Sequence, residues 1–190
     1  MQKEIDKTGV DMLYLITCAL HNQIPDKSRV LGMNLENLYR YSKCHSLVAI
    51  TYDALEQFGE STENGMGILS KNEADRCLLL KWKETRDKAL HKNLMLDVAR
   101  KKLFLYLDEQ HIWYMPLKGS ILKDLYPKQE MRQMADNDIL FDATYESAVK
   151  DYFVKEGYKV ICYAISNHDV YEKEPIYNFE MHTFLFGEAH

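Results

Sequence analysis

The sequence predicts an α+β protein in which an N-terminal helical domain precedes a small mixed β-sheet core with flanking helices. Apolar residues recur at helical spacing through most of residues 1–110. After His111 the pattern changes to short apolar runs separated by polar and helical segments. Hydrophobic residues make up 46% of the chain and Gly and Pro are few, so there is enough apolar material for a core. We therefore expect two domains, residues 1–110 and residues 111–190.

The first two helices are predicted from apolar spacing and capping residues. Residues 6–22 have apolar side chains three and four positions apart, and Pro25 ends this helix. Asn34 is a candidate N-cap for a second helix that contains His45 and ends near Gly59. A histidine on a mostly apolar helix is more often a hydrogen-bonded core residue than a ligand.

A loop and a long helix complete the helical domain. Residues 59–69 contain glycine and serine and indicate the loop. Ser70-Lys-Asn-Glu73 fits a capping box, in which two side chains satisfy each other's backbone donors. The helical pattern from Ala74 to about Gln110 has no Gly or Pro, and it predicts one long helix or two helices with a tight break.

The region after His111 alternates between strands and helices in the order β-α-β-α-β-β, which implies a mixed sheet. Asp142 or Thr144 caps a helix that ends at Gly157. The predicted strands are Ile112–Met115, 137–141, Tyr158–Ile165 and Tyr177–Phe186, with 167–174 ambiguous between strand and turn.

Two carboxylates stand at the start of the predicted strand 137–141. Asp136 and Asp138 are two residues apart, so in a strand both point to the same side. Carboxylates held that close repel each other unless a cation sits between them, and oxygen ligands suit Mg2+. Asp-x-Asp alone is common, however, and alone it is better explained as an exposed strand start with a turn-forming aspartate.

A candidate phosphate site precedes these carboxylates. Gly119 and Ser120 follow the first predicted strand, where glycine permits close approach of a ligand and a helix N-terminus favours phosphate. Alone, Gly-Ser is usually an ordinary turn, and only its position before Asp-x-Asp makes it notable. Four cations surround the proposed site, although any single lysine among them is more often on a solvated face: Lys118, Lys123, Lys128 and Arg132.

These motifs together resemble the signature of the nucleotidyltransferase superfamily, which has the DNA polymerase beta-like fold. The signature is a Gly-Ser pair, an Asp-x-Asp pair and a later carboxylate in a strand. A longer set of residues resembles one bacterial branch, the family often labelled uncharacterised nucleotidyltransferase. That set comprises Leu117-Lys-Gly119, Leu125-Tyr-Pro127, Arg132, Asp136-x-Asp138-Ile-Leu, Leu38-Tyr39, His45 and Glu180-Met-His182.

The resemblance implies that residues 111–190 form a nucleotidyltransferase core with two Mg2+ ions bound together with an NTP. Asp136, Asp138 and Glu180 are then the catalytic and metal-binding residues, and Glu180 also helps to deprotonate the attacking group. Asp169, Glu172 and Glu174 compete with Glu180, but they lie in a less regular segment. Lys118, Gly119, Ser120 and Arg132 are the implied phosphate ligands, and His168 and His182 are either phosphate or substrate contacts or structural histidines.

Two features depart from the family pattern. Asn137 occupies a position that is usually apolar, and we expect it to point away from the metals and to affect packing more than chemistry. The family continues well past its third carboxylate with further helices, whereas this chain ends at His190. We therefore expect a missing C-terminal helical region.

The functional prediction is an Mg2+-dependent transferase that moves NMP from an NTP such as ATP onto a hydroxyl of a small molecule, a protein or an RNA. The alternatives are a non-catalytic nucleotide-binding or regulatory module and a toxin–antitoxin nucleotidyltransferase acting on tRNA. The net charge of −5 argues against a general DNA- or RNA-binding surface. Four scattered cysteines give no zinc motif, and the chain shows neither a signal peptide nor a membrane-length apolar run. A cytoplasmic bacterial protein without a membrane partner is the expectation.

Overall fold

The structure is a computed structural model that describes residues 6–186, and it confirms the α+β class. Among these residues, helices fill most of the chain up to Glu109 and the strands follow. The α-helices are α1 (Lys7–Leu20), α2 (Lys27–Leu31), α3 (Leu35–Cys44), α4 (Val48–Glu60), α5 (Glu73–Glu109), α6 (Gly119–Leu122) and α7 (Glu146–Lys155). The strands are β1 (Tyr114–Pro116), β2 (Asn137–Phe141), β3 (Lys159–Cys162), β4 (His168–Lys173) and β5 (Tyr177–His182).

The chain packs into two compact units. The first runs to Leu90 and includes Leu125–Gln133, and the second comprises His91–Asp124 and the chain from Met134 onward. The sequence places the boundary at residue 110, where secondary structure changes from helices to strands. Packing places the boundary within α5, and the assignment of residues 1–110 and 111–190 as domains stays a prediction.

The predicted helix from Asn34 to Gly59 is two helices, which corrects the sequence analysis. Asn34 caps α3 as expected, because its side chain accepts a hydrogen bond from the Asn37 N–H at 3.0 Å. The helix ends at Cys44, and Ser46 adopts a φ of 56°, which a right-handed helix does not tolerate. His45 therefore lies at the end of α3 and not inside a helix.

The start of α5 differs from the predicted capping box by about two residues. Asn72 Oδ1 accepts a hydrogen bond from the Asp75 N–H at 2.9 Å, and Asp75 Oδ2 accepts one from the Lys71 N–H at 3.0 Å. This reciprocal pair supplies the caps that Ser70 and Glu73 were expected to supply. Beyond it, α5 is one continuous helix of 37 residues, the first of the two predicted alternatives.

The core of the first unit is built around Trp82, which is fully buried. Its indole N–H donates to the Val48 carbonyl at 3.0 Å. Its ring packs edge to face against that of Tyr39, with 5.4 Å between the ring centroids. A buried tryptophan needs such an acceptor, since an unpaired N–H is costly away from water. The bond fixes α4 against the first half of α5.

The sheet of the second unit has five strands in the order β1-β2-β5-β4-β3. Strands β2 and β5 are parallel neighbours, and the other pairs are antiparallel, so the mixed sheet is confirmed. The ambiguous segment 167–174 forms β4, which pairs with both β3 and β5. The two predicted strands that flank it are shorter than expected, since β3 ends at Cys162 and β5 ends at His182.

Alternation along β2 and β5 separates a buried face of the sheet from a polar one. Ile139 and Phe141 on β2 and Phe179 and Met181 on β5 are at most 1% exposed and belong to one apolar cluster. The intervening residues point to the opposite face. The remaining buried members of that cluster are Leu103, Leu107, Ile112, Val149, Phe153 and Tyr171.

No helix within residues 6–186 combines the length and the hydropathy that a membrane span requires.

Candidate metal and nucleotide site

The parallel pairing of β2 with β5 places two of the predicted carboxylates side by side. Asp138 and Glu180 are paired positions across the two strands, and Leu140 is paired with His182. Paired positions in adjacent strands share a face, and residues two apart on one strand do as well. Asp138, Glu180 and His182 therefore project from the polar face of the sheet.

Three potential metal ligands converge on this face. One ligand atom from each of Asp138, Glu180 and His182 lies within 4.8 Å of the other two. His182 Nε2 is 3.1 Å from Asp138 Oδ1 and 3.7 Å from Glu180 Oε2. Asp138 and His182 are 4% and 5% exposed, whereas Glu180 is partly open to solvent. The sequence marked His182 only as a possible contact, and its i, i+2 spacing from Glu180 was the signal that it shares the site.

Asp136 lies next to this cluster but is not a member of it. It immediately precedes β2 and is half-buried. Burial raises the pKa of the Asp136 carboxyl, and the nearby charge of Asp138 raises it further. Among the residues that the structure describes, the group with metal-ligand spacing contains Asp138, Glu180 and His182. The role of Asp136 as a metal ligand stays a prediction.

Lys118 brings a positive charge into the cluster. Its Nζ donates to Asp138 Oδ1 at 2.5 Å and lies 3.8 Å from Glu180 Oε2. The hydrogen bond to Asp138 raises the pKa of Lys118 despite the opposing effect of burial. The Lys118 ammonium group supplies the positive charge between the two carboxylates that a metal ion would otherwise supply. The spacing of the Asp138, Glu180 and His182 donors is compatible with a metal ion, and a metal and Lys118 would compete for the same oxygen of Asp138.

The two carboxyls of the cluster differ in acidity. Burial raises the pKa of Asp138, but hydrogen bonds from His182 and Lys118 outweigh it and bring that pKa to about 2. Burial raises the pKa of Glu180, and its interaction with Asp138 raises it further. Asp138 therefore stays ionised to lower pH than Glu180, and Glu180 is the more basic of the two.

The three competing carboxylates do not reach the cluster. Asp169 lies opposite Met181 in the β4–β5 pairing and is 1% exposed on the apolar face. It accepts hydrogen bonds from the Ala164 N–H at 2.8 Å and the Tyr171 hydroxyl at 3.2 Å. Glu172 and Glu174 are exposed. Glu180 is therefore the carboxylate that neighbours Asp138.

The predicted phosphate residues begin a short helix. Gly119 and Ser120 open α6, with Lys118 at the N-cap position and a φ of 46°. Ser120 is 6% exposed, and its buried Oγ has no hydrogen-bond partner. The hydroxyl therefore does not cap the helix. Phosphate binding by Gly119 and Ser120 stays a prediction.

Asn137 points away from the cluster, as its place between the two carboxylates requires. Its Oδ1 accepts from Arg100 Nη1 at 3.0 Å, and its Nδ2 donates to the Leu96 carbonyl at 3.1 Å. Arg100 also pairs with Asp97 at 2.8 Å, and Asp97 binds Lys123. We call Asn137, Arg100, Asp97 and Lys123 the core network. Sequence reasoning missed Arg100 and Asp97, because only the fold brings this face of α5 against β2.

The predicted ring of four cations needs correction. Lys123 is 2% exposed and bonded to Asp97, so its charge is neutralised inside the second unit. Lys128 pairs with the buried carboxylate of Asp53 inside the first unit. Arg132 follows the 3-10 turn Gln129–Met131 in the segment that packs with the first unit, and its role in phosphate binding stays a prediction.

His168 lies beside the cluster on β4. It is paired with His182, and the two rings are 5.0 Å apart between centroids. Its Nδ1 is 3.0 Å from Asn167 Oδ1. This bond orients the ring locally, and a contact of His168 with substrate stays a prediction.

Comparison with known proteins identifies the family of the chain. The sequence model of a family described as uncharacterised nucleotidyltransferase matches residues 32–190. The chain belongs to this family. No curated protein and no solved structure matches it. The match supports a general nucleotidyltransferase role for the chain, and the family resemblance seen in the sequence is confirmed.

Proposed function

We propose that the protein is a metal-dependent nucleotidyltransferase that moves NMP from an NTP onto a hydroxyl acceptor. The observation that carries the proposal is the convergence of Asp138 and Glu180 around a cationic group, on the polar face of a sheet within the family match. In the reaction, a bond forms between the acceptor oxygen and the α-phosphorus. The bond from that phosphorus to the bridging oxygen breaks, and pyrophosphate leaves.

The residues divide the chemistry among them. Asp138 and Glu180 would hold Mg2+, with Asp136 at the edge of the site, and the metal supplies charge stabilisation at the reacting phosphate. Glu180 is suited to accept the proton of the attacking hydroxyl, because burial raises its pKa. Lys118 would move from Asp138 to the phosphate oxygens, where its ammonium offsets developing negative charge. Gly119 and Ser120 would contact the phosphates through α6.

Several finer points belong to the same proposal. Asp136, Asp138 and Glu180 would together hold two Mg2+ ions, which would supply charge stabilisation at the transferred phosphate. ATP is one candidate donor, and the acceptor hydroxyl belongs to a small molecule, a protein or an RNA. The tRNA-directed alternative receives less support, because Lys123 and Lys128, two of the four cations near the site, are each paired with a carboxylate. The proposed compartment is the cytoplasm.

One observation favours a second candidate, a nucleotide-binding module that does not turn over. The 2.5 Å bond between Lys118 and Asp138 occupies the oxygen that the metal needs. If this bond persists when NTP is present, the lysine would neutralise the cluster permanently. Such a protein would bind nucleotide without a metal.

Thermal stability measured with each NTP, with and without Mg2+, separates the two candidates. The matched variants are Asp138→Asn and Asp151→Asn, since Asp151 is an exposed aspartate on α7. For an enzyme, one NTP raises the melting temperature only with Mg2+, in the wild type and in Asp151→Asn but not in Asp138→Asn. Transfer of label from the matching α-32P NTP should follow the same pattern. Stabilisation by NTP alone, unaffected by Asp138→Asn, would instead support the binding module.

A further inference from the structure

We infer that His182 is a nitrogen ligand of the metal centre and that it shifts the selectivity of the site from Mg2+ toward divalent transition metals, for which Mn2+ serves as the spectroscopic probe. The inference rests on the proposed function and deepens it, since it concerns which ion the same site prefers. Oxygen ligands alone suit Mg2+, whereas imidazole suits transition metals. The identity of the third donor therefore decides the selectivity.

The position of the His182 ring supports ligation. Its Nε2 faces both carboxylates, at 3.1 Å from Asp138 Oδ1 and 3.7 Å from Glu180 Oε2. Adjacent donors on an octahedral ion, each about 2.1 Å from it, lie about 3 Å apart. The observed spacings approach that value without any movement of the backbone.

The surroundings of Asp138 argue the same way. Asp138 Oδ1 is contacted by both Lys118 Nζ at 2.5 Å and His182 Nε2 at 3.1 Å, so two groups meet at the oxygen that a metal would use. His182 is 5% exposed, so its ring is shielded from bulk water beside the two carboxylates. In the metal-bound form, Nδ1 carries the ring proton and the lone pair of Nε2 is directed at the ion. Glu180 and His182 stand two residues apart on one strand, which fixes their relative position.

Pulsed electron paramagnetic resonance of bound Mn2+ tests the inference directly. The protein, freed of any affinity tag, is loaded with Mn2+ alone, and hyperfine coupling to nitrogen is recorded. We expect a directly bound imidazole nitrogen in the wild type, with the 14N signal replaced by a 15N signal when histidine is isotopically labelled. The labelled wild type needs no substitution, so this arm remains decisive even if a variant fails to fold.

Two histidine variants complete the design. His182→Gln should lose the nitrogen coupling and bind Mn2+ at least about tenfold more weakly, while its affinity for Mg2+ changes less. His91→Gln is the matched control, because His91 is exposed on α5, and it should leave both properties unchanged. Calorimetric titration with each metal gives the ratio of affinities.

The contrary outcomes distinguish this inference from the proposed function. If Mn2+ binds and depends on Asp138, but shows no histidine nitrogen coupling, His182 is not a ligand and the nucleotidyltransferase proposal stands. Coupling that persists in His182→Gln would also overturn the assignment. If Asp138→Asn leaves Mn2+ binding unchanged, the ion binds elsewhere, and the proposed metal site fails together with the inference.

Discussion

Adjacent residues of β2 belong to two polar clusters of different character. Asn137 joins the core network on the buried face, and Asp138 joins the cluster of Lys118, Glu180 and His182 on the polar face. Each cluster contains a lysine bound to an aspartate. In the core network the lysine side chain is 2% exposed, whereas that of Lys118 is 59% exposed. The first lysine cannot leave its partner without stranding a buried charge, and the second can exchange Asp138 for another anion.

This difference gives a physical criterion for separating a structural ion pair from a functional one. A buried pair is worth little relative to apolar residues of the same shape, but removing one partner is costly because the other charge remains. A pair with an exposed member loses little when that member moves into water. The core network therefore holds β2 in place, and the cluster at Asp138 is able to change partners when a metal or a phosphate arrives.

The largest expected effect is the loss of Lys123. Lys123→Met should lower the free energy of unfolding by about 3–5 kcal/mol, because Asp97 would keep a buried charge with one fewer partner. Lys118→Met, the same change in the other cluster, should cost less than Lys123→Met, because the Lys118 side chain is 59% exposed and His182 Nε2 still contacts Asp138. Urea unfolding of both variants provides the comparison. Equal losses of unfolding free energy in the two variants would show that the exposure of the lysine does not distinguish a structural ion pair from a functional one.

The same pair of variants should give the reverse order in nucleotide binding. Lys118→Met should lose most of the stabilisation that Mg2+-NTP gives the wild-type protein, since the lysine is proposed to contact the phosphates. Lys123→Met should retain binding per folded molecule. Isothermal titration at a temperature where both variants are folded provides the measurement. A nucleotide affinity that follows stability in both variants would contradict the proposed role of Lys118.

Asn137 should show an intermediate effect. Asn137→Leu restores the apolar residue that the family usually has. It also removes the hydrogen-bond acceptor of Arg100 and the donor to the Leu96 carbonyl. We expect a loss of about 1–3 kcal/mol in the free energy of unfolding. Leu140→Ala, a truncation on the polar face of β2, serves as the comparison for strand packing. A neutral or stabilising Asn137→Leu would mean that the network is replaceable by apolar packing.

The contribution of Asp138 to the free energy of unfolding should decrease as the pH falls. Hydrogen bonds from His182 and Lys118 outweigh burial and bring the Asp138 pKa to about 2, below the value of about 3.9 for an unfolded chain. A lowered pKa in the folded state means stabilisation that is fully present above pH 3.9 and lost as pH falls toward 2. In metal-free protein, Asp138→Asn should therefore be less stable than the wild type at pH 7, and the difference should shrink between about pH 5 and pH 2.

Unfolding of the wild type and Asp138→Asn across this pH range checks the prediction, because titration of groups unaffected by the substitution cancels in the difference. Asp151→Asn is again the control. A metal-free Asp138→Asn that is more stable than the wild type at pH 7 would indicate repulsion between carboxylates, which is what the sequence alone predicts for two acids without a cation. The structure leads to the opposite expectation because Lys118 supplies the positive charge.

Whether a feature of the fold could be predicted from the sequence depends on how far apart its interacting residues lie along the chain. Strand β2 was predicted with its observed bounds, and the alternation in β5 placed Glu180 and His182 on one face, because both patterns are local. The break at Ser46 was missed, since no glycine or proline marks it. The partner of Asn137 was also missed, because Arg100 is 37 residues away along the chain and only the packing of α5 against the sheet joins them.

The site shows the same limit. Asp136-x-Asp138 and Glu180 were found from spacing and family resemblance, and Asp138 and Glu180 do meet. Spacing treated Lys118, Lys123 and Lys128 as equivalent cations, since nothing local distinguishes them. The fold separates them by their carboxylate partners, namely Asp138, Asp97 and Asp53.

The smallest expected effect on stability comes from Ser120. Its buried Oγ has no hydrogen-bond partner, so Ser120→Ala removes a polar group that contributes nothing to the fold and should change the free energy of unfolding by less than about 0.5 kcal/mol. Nucleotide affinity should fall by several-fold, because the hydroxyl is proposed to contact phosphate. Ser147→Ala, an exposed serine on α7, is the matched control and should change neither property. If Ser120→Ala is stabilising and binds Mg2+-NTP as well as the wild type, the hydroxyl is only a poorly satisfied core group. Phosphate recognition would then have to rest on Lys118 and the backbone of α6.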